Sequence, residues 1–229
     1  MQRQFETELR ELKNRILAMG GLVEQAIEKS TLILQTRDPV TVTQVKAIER
    51  KINEENMAID NICLEILARL SPVAADLRLI LAIIKINTDL ERMGDQAMNI
   101  SYNVDHYHED GEVTMKLNLP SMAVLVKNMV REALDAFMKD DIVLAEKVLQ
   151  SDDAVDQFKN NVFNKMVEYM KSHPDRIESA LDMILIARNL ERMADHATNI
   201  AEDVIFACTG EDVRHGVGKA AREGQEKPN

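Results

Sequence analysis

Two carboxylate pairs stand where they could do chemistry. Glu91 and Asp95 lie in DLERMGDQAMNI (89–100), and Glu191 and Asp195 lie in NLERMADHATNI (189–200). On a helix, a spacing of four puts both side chains on one face, about 5–6 Å apart at Cβ. Residues seven apart share a line to within about 20°. This aligns Glu191 with Ile177, Ile184 and Ile205, Glu91 with Leu77, Ile84 and Met98, and Asp95 with Leu81 and Thr88. A carboxylate projecting from or beside such apolar lines must be protonated, paired or metal-bound to offset its desolvation. Arg92 and Arg192 sit one position from their Glu, about 100° round the helix, and so point elsewhere. Two carboxylate pairs on neighbouring helices would converge four oxygen-bearing side chains, the kind of set that holds hard cations, iron or manganese.

The elements that must position these acids are helices. Pro39, Pro72, Pro120 and Pro174 punctuate the chain, and proline starts helices and interrupts their interiors. Helices are predicted near 4–36, 40–70, 74–107, 120–139, 141–171 and 175–208. Glu91 matches Glu191 and Asp95 matches Asp195 at an offset of 100; Asp38 matches Asp141, Glu49 matches Asp152 and Asn53 matches Asp156 at an offset of 103. The three-residue difference is absorbed around Pro72 and Pro174. The chain therefore reads as a duplication, and the middle helices supply the second half of each acidic set: Glu49 with Asn53, and Asp152 with Asp156. Asp156 itself aligns with Leu149, Phe163 and Met170.

The third helix of each unit carries a seam of alternating four- and three-residue steps. It runs Ile83, Asn87, Leu90, Gly94, Ala97, Ser101, Val104 and, in the second copy, Met183, Ala187, Leu190, Ala194, Ala197, Ala201, Val204. Such a stripe faces partner helices, and its small residues permit close approach. The expected fold is all-α: six long helices in two tandem, similar, antiparallel three-helix bundles. The first bundle is assigned to 1–108, a linker to 109–119, the second bundle to 120–210 and a flexible tail to 211–229.

Composition supports a helical, aliphatic core. Of 229 residues, 45% are hydrophobic, yet only five are Phe, three Tyr and none Trp. No apolar run approaches the roughly 18–20 residues that span a bilayer, and the charged start MQRQFETELRELKNRI has no signal-peptide core. Cys63 and Cys208 form no CxxC pair. These features point to a cytoplasmic protein. The net charge of −11, with no basic cluster, opposes binding to nucleic acid or an anionic membrane.

With these motifs assembled, the chain resembles the PhoU family, bacterial regulators of phosphate uptake and the phosphate-starvation response. The resemblance covers nearly the whole length and rests on MGGLVEQAI (19–27), SPVAADLRLILAI (71–83), the two LERM motifs and GEDVRH (210–215). It implies two similar three-helix bundles, each holding a multinuclear metal cluster on its surface. Iron is the metal implied, with manganese, magnesium or zinc as rivals. The second unit matches fully through Asp152, Asp156, Glu191 and Asp195. The first offers Glu49, Glu91 and Asp95, but Asn53 replaces a carboxylate, so its cluster is expected to be weaker or smaller. The resemblance further implies a non-enzymatic coupler between the ATP-binding subunit of the phosphate ABC transporter and the sensor histidine kinase of the phosphate regulon. Such a coupler restrains signalling and transport when phosphate is plentiful, and meets the membrane only through these partners. A homodimer fits the exposed helical faces.

Other signals are weaker. His196 follows Asp195 and reads as an ordinary polar contact rather than a ligand. His106, His108, His173 and His215 read as solvated, Cys63 and the Met residues as core. Cys208 ends the last helix with no sign of reactivity. Asn99, Asn199 and Glu202 are candidates to orient ligands. Two rivals stay open. One is a di-iron carboxylate bundle enzyme, although none of the six helices contains its usual Glu-x-x-His motif. The other is a helical interaction module without metal.

Overall fold

A computed structural model describes residues 2–36, 38–106 and 117–213. Six long helices account for most of them: α1 (Gln2–Thr36), α2 (Pro39–Leu70), α3 (Ala75–His106), α4 (Leu119–Lys139), α5 (Ile142–Ser172) and α6 (Ile177–Thr209). The predicted boundaries hold to within about two residues, the usual uncertainty of a helix end. The expected linker falls largely, and the tail mostly, outside the described residues.

Local chemistry explains where the helices begin. Asp38 caps α2, its Oδ1 accepting from Val40 N at 3.0 Å with Pro39 just inside the helix. Asp141 caps α5, its Oδ1 accepting from Leu144 N at 3.0 Å. Each aspartate satisfies a helix-start N–H that has no intrahelical partner, so the Asp38–Asp141 match is a repeated cap. The second bend in each unit differs. Ser71 and Ala74 take positive φ between α2 and α3, whereas a 3₁₀ turn, Pro174–Arg176, leads directly into α6.

Both seams face inward. Every residue of the α6 seam from Met183 to Val204 is buried, as is the α3 seam from Ile83 to Ser101; the side chain of Val104 lies outside the described ones. Gly94 explains the closeness of α2 and α3. A Cβ there would meet Ile52 Cδ1 at 3.1 Å and Cγ2 at 3.3 Å. At the repeat-equivalent positions the sizes are exchanged: Ala194 stands for Gly94 and Val155 for Ile52, both buried. Each unit keeps its total volume in its own way.

The three-helix units do more than share a linker. They pack against one another through α3 on α6 and α1 on α4, and the buried apolar residues form one continuous cluster. On the α1–α4 contact Lys13 reaches Asp140 at 3.0 Å, Lys127 reaches Glu28 at 3.1 Å and Arg131 pairs with Glu24. On the α3–α6 contact Lys85 reaches Asp203 at 2.7 Å. The residue numbers along both contacts run in opposite directions, so both helix pairs are antiparallel. This joining of the units was not anticipated from the seams alone, which served to pack each bundle. Among the described residues no helix is long and apolar enough to cross a membrane.

Candidate functional site

Across α2–α3 and across α5–α6 the acids lie close enough to influence one another electrostatically. In the second unit Asp152 and Asp156 project from α5, and Glu191 and Asp195 from α6. Their mutual influence shows in their protonation. Burial, then the negative charge of Glu191, Asp152 and Asp156, pushes the Asp195 carboxyl up to about 6. Asp195 keeps an open side to solvent, so part of this effect is crowding by like charge. The Asp152 carboxyl is likewise raised, by burial first and then by Asp156 and Glu191. Like charges gathered this closely disfavour full ionisation.

A side chain that the sequence reading missed relieves this crowding. The ammonium of Lys159, on α5, donates to Asp156 Oδ1 at 2.6 Å and to Glu191 Oε1 at 2.7 Å. Hydrogen bonds to these two carboxylates raise the Lys159 pKa. Lys159 lies three residues beyond Asp156 and seven beyond Asp152, which places it on the same face. That spacing was the available signal. The repeat-equivalent residue in the first unit is Asn56, whose amide donates to Asn87 O at 3.4 Å.

The first unit limits its charge differently. Asn53 Nδ2 donates to Glu49 Oε1 at 2.6 Å, while Asn53 Oδ1 is buried without a protein partner. Burial, then Asp95 on the same helix, raises the Glu91 carboxyl; Arg92 opposes this, and Glu49 across the helix pair adds to it. Glu49, Asn53 and Glu91 are half-buried, whereas Asp95 is exposed. The structure thus brings Glu49, Glu91 and Asp95 into electrostatic contact with Asn53 beside Glu49.

The surroundings correct one premise. The lines shared with the acids run from surface to core: Leu77, Leu81, Ile177 and Phe163 are exposed, Ile84, Ile184, Leu149 and Met170 are partly buried, and Met98 and Ile205 are buried. The acids therefore sit at the edge of the packed interior, where a solvated face reduces their desolvation cost. The seven-residue rule gives direction round the helix but not how far a neighbouring helix covers that direction.

The donor chemistry suits a cation. In the second unit an ammonium already stands between two carboxylates, as a metal ion would. In the first, the buried Asn53 carbonyl oxygen lies beside two half-buried carboxylates with no donor from the protein, so it is open to a donor or a cation. Yet in the arrangement observed, no three His, Cys, Asp or Glu side chains among the described residues converge as a ligand set. A cation held by Asp156 and Glu191 would meet the Lys159 ammonium already bonded to both.

His196 makes its hydrogen bond outside the acidic sets, although its proximity slightly opposes the upward push on the Asp195 and Glu91 carboxyls. Its Nδ1 lies 2.8 Å from Asp89 Oδ1, and Asn199 Nδ2 donates to the same oxygen at 3.3 Å. A carboxylate can only accept, so the ring proton resides on Nδ1. Asp89 is 7% exposed, making this a buried polar tie between α3 and α6, as expected of an ordinary contact. Asn199 belongs to that tie, and Asn99 is exposed. Beside it lies a cleft of about 310 Å³, lined by Lys85, Thr88, Arg92, Glu202 and Asp203. Its mixed charges give it no single preference. Cys63 is fully buried, and burial pushes its thiol up to about 12; it behaves as core. His173 is exposed and stacks on Tyr169 at 4.3 Å.

The chain matches known proteins along nearly its whole length. The family model described as PhoU domain matches twice, over residues 16–104 and 119–204. The chain is 41% identical over 213 residues to the "Phosphate-specific transport system accessory protein PhoU homolog" of Pseudomonas putida, covering 93% of this chain and 83% of that protein. It is 31% identical over 212 residues to the "Phosphate-specific transport system accessory protein PhoU" of Escherichia coli K12, covering 93% and 88%. The crystal structure of PhoU from Pseudomonas aeruginosa superposes with a TM-score of 0.82 at 37% identity, covering 90% of this chain and all of that one. The phosphate transport system regulatory protein PhoU from Streptococcus pneumoniae gives 0.80 at 29% identity, covering 91% and 99%. The two repeats found in the sequence are two copies of one domain, and the chain belongs to the PhoU family.

Proposed function

We propose that this chain is a regulator of phosphate uptake and phosphate homeostasis that acts by contact with protein partners rather than by catalysis. The observation that carries the reading is the match of both repeats, in one chain, to relatives named as phosphate-specific transport accessory proteins. The partners are the ATP-binding subunit of the phosphate ABC transporter and the sensor histidine kinase of the phosphate regulon, both restrained when phosphate is plentiful. The chain works in the cytoplasm as a homodimer, meeting the membrane through those partners. Exposed apolar side chains on long helices, including Leu64, Leu77, Leu81, Leu181 and Leu185, supply contact surface of the required kind. Residues 1–108 and 120–210 form the two units, with 109–119 as linker and 211–229 as tail.

Each unit carries a cation site. In the second, Asp152, Asp156, Glu191 and Asp195 would hold the metal; in the first, Glu49, Asn53, Glu91 and Asp95. A bound metal, with iron as first candidate and manganese, magnesium or zinc as rivals, supplies positive charge that ties one helix to the next. Asn53 gives a neutral oxygen, so the first site is the smaller of the two. The standing ammonium of Lys159 and the orphan oxygen of Asn53 support this reading.

Deletion of the gene should derepress phosphate-starvation genes in phosphate-rich medium; normal repression would remove the regulatory reading. Pull-down of the kinase and the transporter ATPase at high and low phosphate identifies the partner contacted. The paired change Glu191→Ala and Asp195→Ala should lower metal content of protein purified without chelator, while circular dichroism stays helical. Unchanged metal stoichiometry would remove the second site.

A further inference from the structure

Two units with one ancestry relieve the same crowding in different ways. In the first, an amide replaces one acid. In the second, all four acids remain, and a lysine from within the set lies between two of them. Lys159 Nζ is 2.6 Å from Asp156 Oδ1 and 2.7 Å from Glu191 Oε1, one carboxylate on α5 and the other on α6. It therefore bridges the two helices at the place where a metal held by the same acids would bridge them. We propose that Lys159 is a tethered competitor for cations at the second-unit site: metal binds there only by displacing its ammonium from Asp156 and Glu191, so the second unit binds divalent cations more weakly than its four carboxylates alone would allow. This inference rests on the reading of the acidic set as a cation site.

The geometry makes the exchange simple. Lys159 is three residues from Asp156 on the same helix, so it needs no backbone movement to leave. Its side chain is already 29% exposed, and its four-carbon stem can carry the ammonium to solvent while the stem stays against the helix. Each carboxylate has a second oxygen and spare lone pairs, but a divalent ion on the same two carboxylates would lie within a few ångströms of the ammonium, and the two cations repel strongly at such distances. When the metal leaves, the ammonium returns at high local concentration because it is part of the helix. The site thus alternates between an internal and an external cation, and neither state leaves the acids bare. The first unit has no such device, for Asn56 stands in its place and bonds to Asn87.

The test uses Mn²⁺ as the probe and the full chain. In a background with Glu91→Ala and Asp95→Ala, which silences the first unit, free Mn²⁺ is followed by electron paramagnetic resonance. Lys159→Met removes the charge but keeps the apolar stem, and Lys159→Arg keeps a charge. Lys159→Met should tighten Mn²⁺ binding at least about tenfold, and Lys159→Arg should stay within a few-fold of the parent. Equal affinity for parent and Lys159→Met overturns the competition while the cation site stands. Binding by neither protein overturns both readings, and binding by Lys159→Met alone supports competition in its strongest form. A second measurement needs no substitution. In the unmutated chain, the acetylation rate of Lys159, read by mass spectrometry, should rise several-fold when Mn²⁺ is added. Saturating Mn²⁺ that leaves Lys159 as protected as before overturns the proposal.

Discussion

Substituting Asn53→Asp would give the first unit four acids, as the second has, without the lysine that accompanies them there. The amide now donates to Glu49 Oε1 at 2.6 Å. The substitution removes that donor and sets a second carboxylate against the first. Loss of a hydrogen bond to a charged group costs about 1.5–3 kcal/mol. Two unit charges about 4 Å apart repel by about 4 kcal/mol at an effective dielectric of 20. Both positions are half-buried, so solvent screens part of this and proton uptake caps the rest. The expected loss for metal-free protein at neutral pH is about 2–4 kcal/mol. For a chain of this size it corresponds to a midpoint lowered by roughly 5–15 °C.

The sign of the pH dependence follows. The introduced carboxyl has a raised pKa in the folded state, so the folded chain binds more protons than the unfolded one between the two values. Stability therefore falls as pH rises through that window, and the deficit is smallest near about pH 4. Added Mn²⁺ should reverse the deficit, because it supplies the charge that Lys159 supplies in the other unit. Thermal melts of chelator-treated wild type and variant, at acid and neutral pH and with or without Mn²⁺, measure all three terms. A variant that melts with the wild type at neutral pH without metal would refute the reasoning.

Gly94→Ala should destabilise by up to about 2 kcal/mol, since overpacking against Ile52 outweighs the helix propensity gained. Adding Ile52→Val should recover most of it, because the second unit already pairs Ala194 with Val155; additive losses in a double-mutant cycle would count against this. His196→Ala leaves Asp89 buried with only Asn199 as partner and should cost about 3 kcal/mol, read as a shift in the urea midpoint. A shift below about 0.5 kcal/mol, the scale of neutral surface changes, would show the tie to be incidental. Metal-free wild type should lose stability as pH rises between about 4 and 6, because Asp195 titrates at about 6 when folded and lower when unfolded. Asp195→Asn should flatten that decline; an unchanged slope of melting temperature against pH would reassign it.

Helix number, order and boundaries were legible because prolines and seven-residue seams report on backbone and burial within one helix. The repeat was legible because Glu91, Asp95 and their partners kept their types at fixed offsets. Facts that depend on two helices at once were harder to read. Lys159 carried a signal, its spacing from Asp152 and Asp156, but its reach to Glu191 exists only once α5 lies on α6. Exposure of Leu77 and Ile177 likewise depends on what covers them. The Asp89–His196 tie joins residues from different units, and no periodicity within either unit could reveal it.

That tie has a twin that is not made. Positions equivalent to Asp89 and His196 are Asn189 and Gln96. Asn189 turns its amide back to Leu185 O at 2.8 Å, and Gln96 Oε1 is buried with no partner. Were the two units separate identical chains, every contact across their dyad would occur twice. Fusion into one polypeptide has let one end of the α3–α6 seam acquire a clasp that the equivalent positions Asn189 and Gln96 do not repeat. A substitution at one of these positions therefore has no mirror-image consequence at its equivalent, so a molecule built from copies has two distinguishable ends.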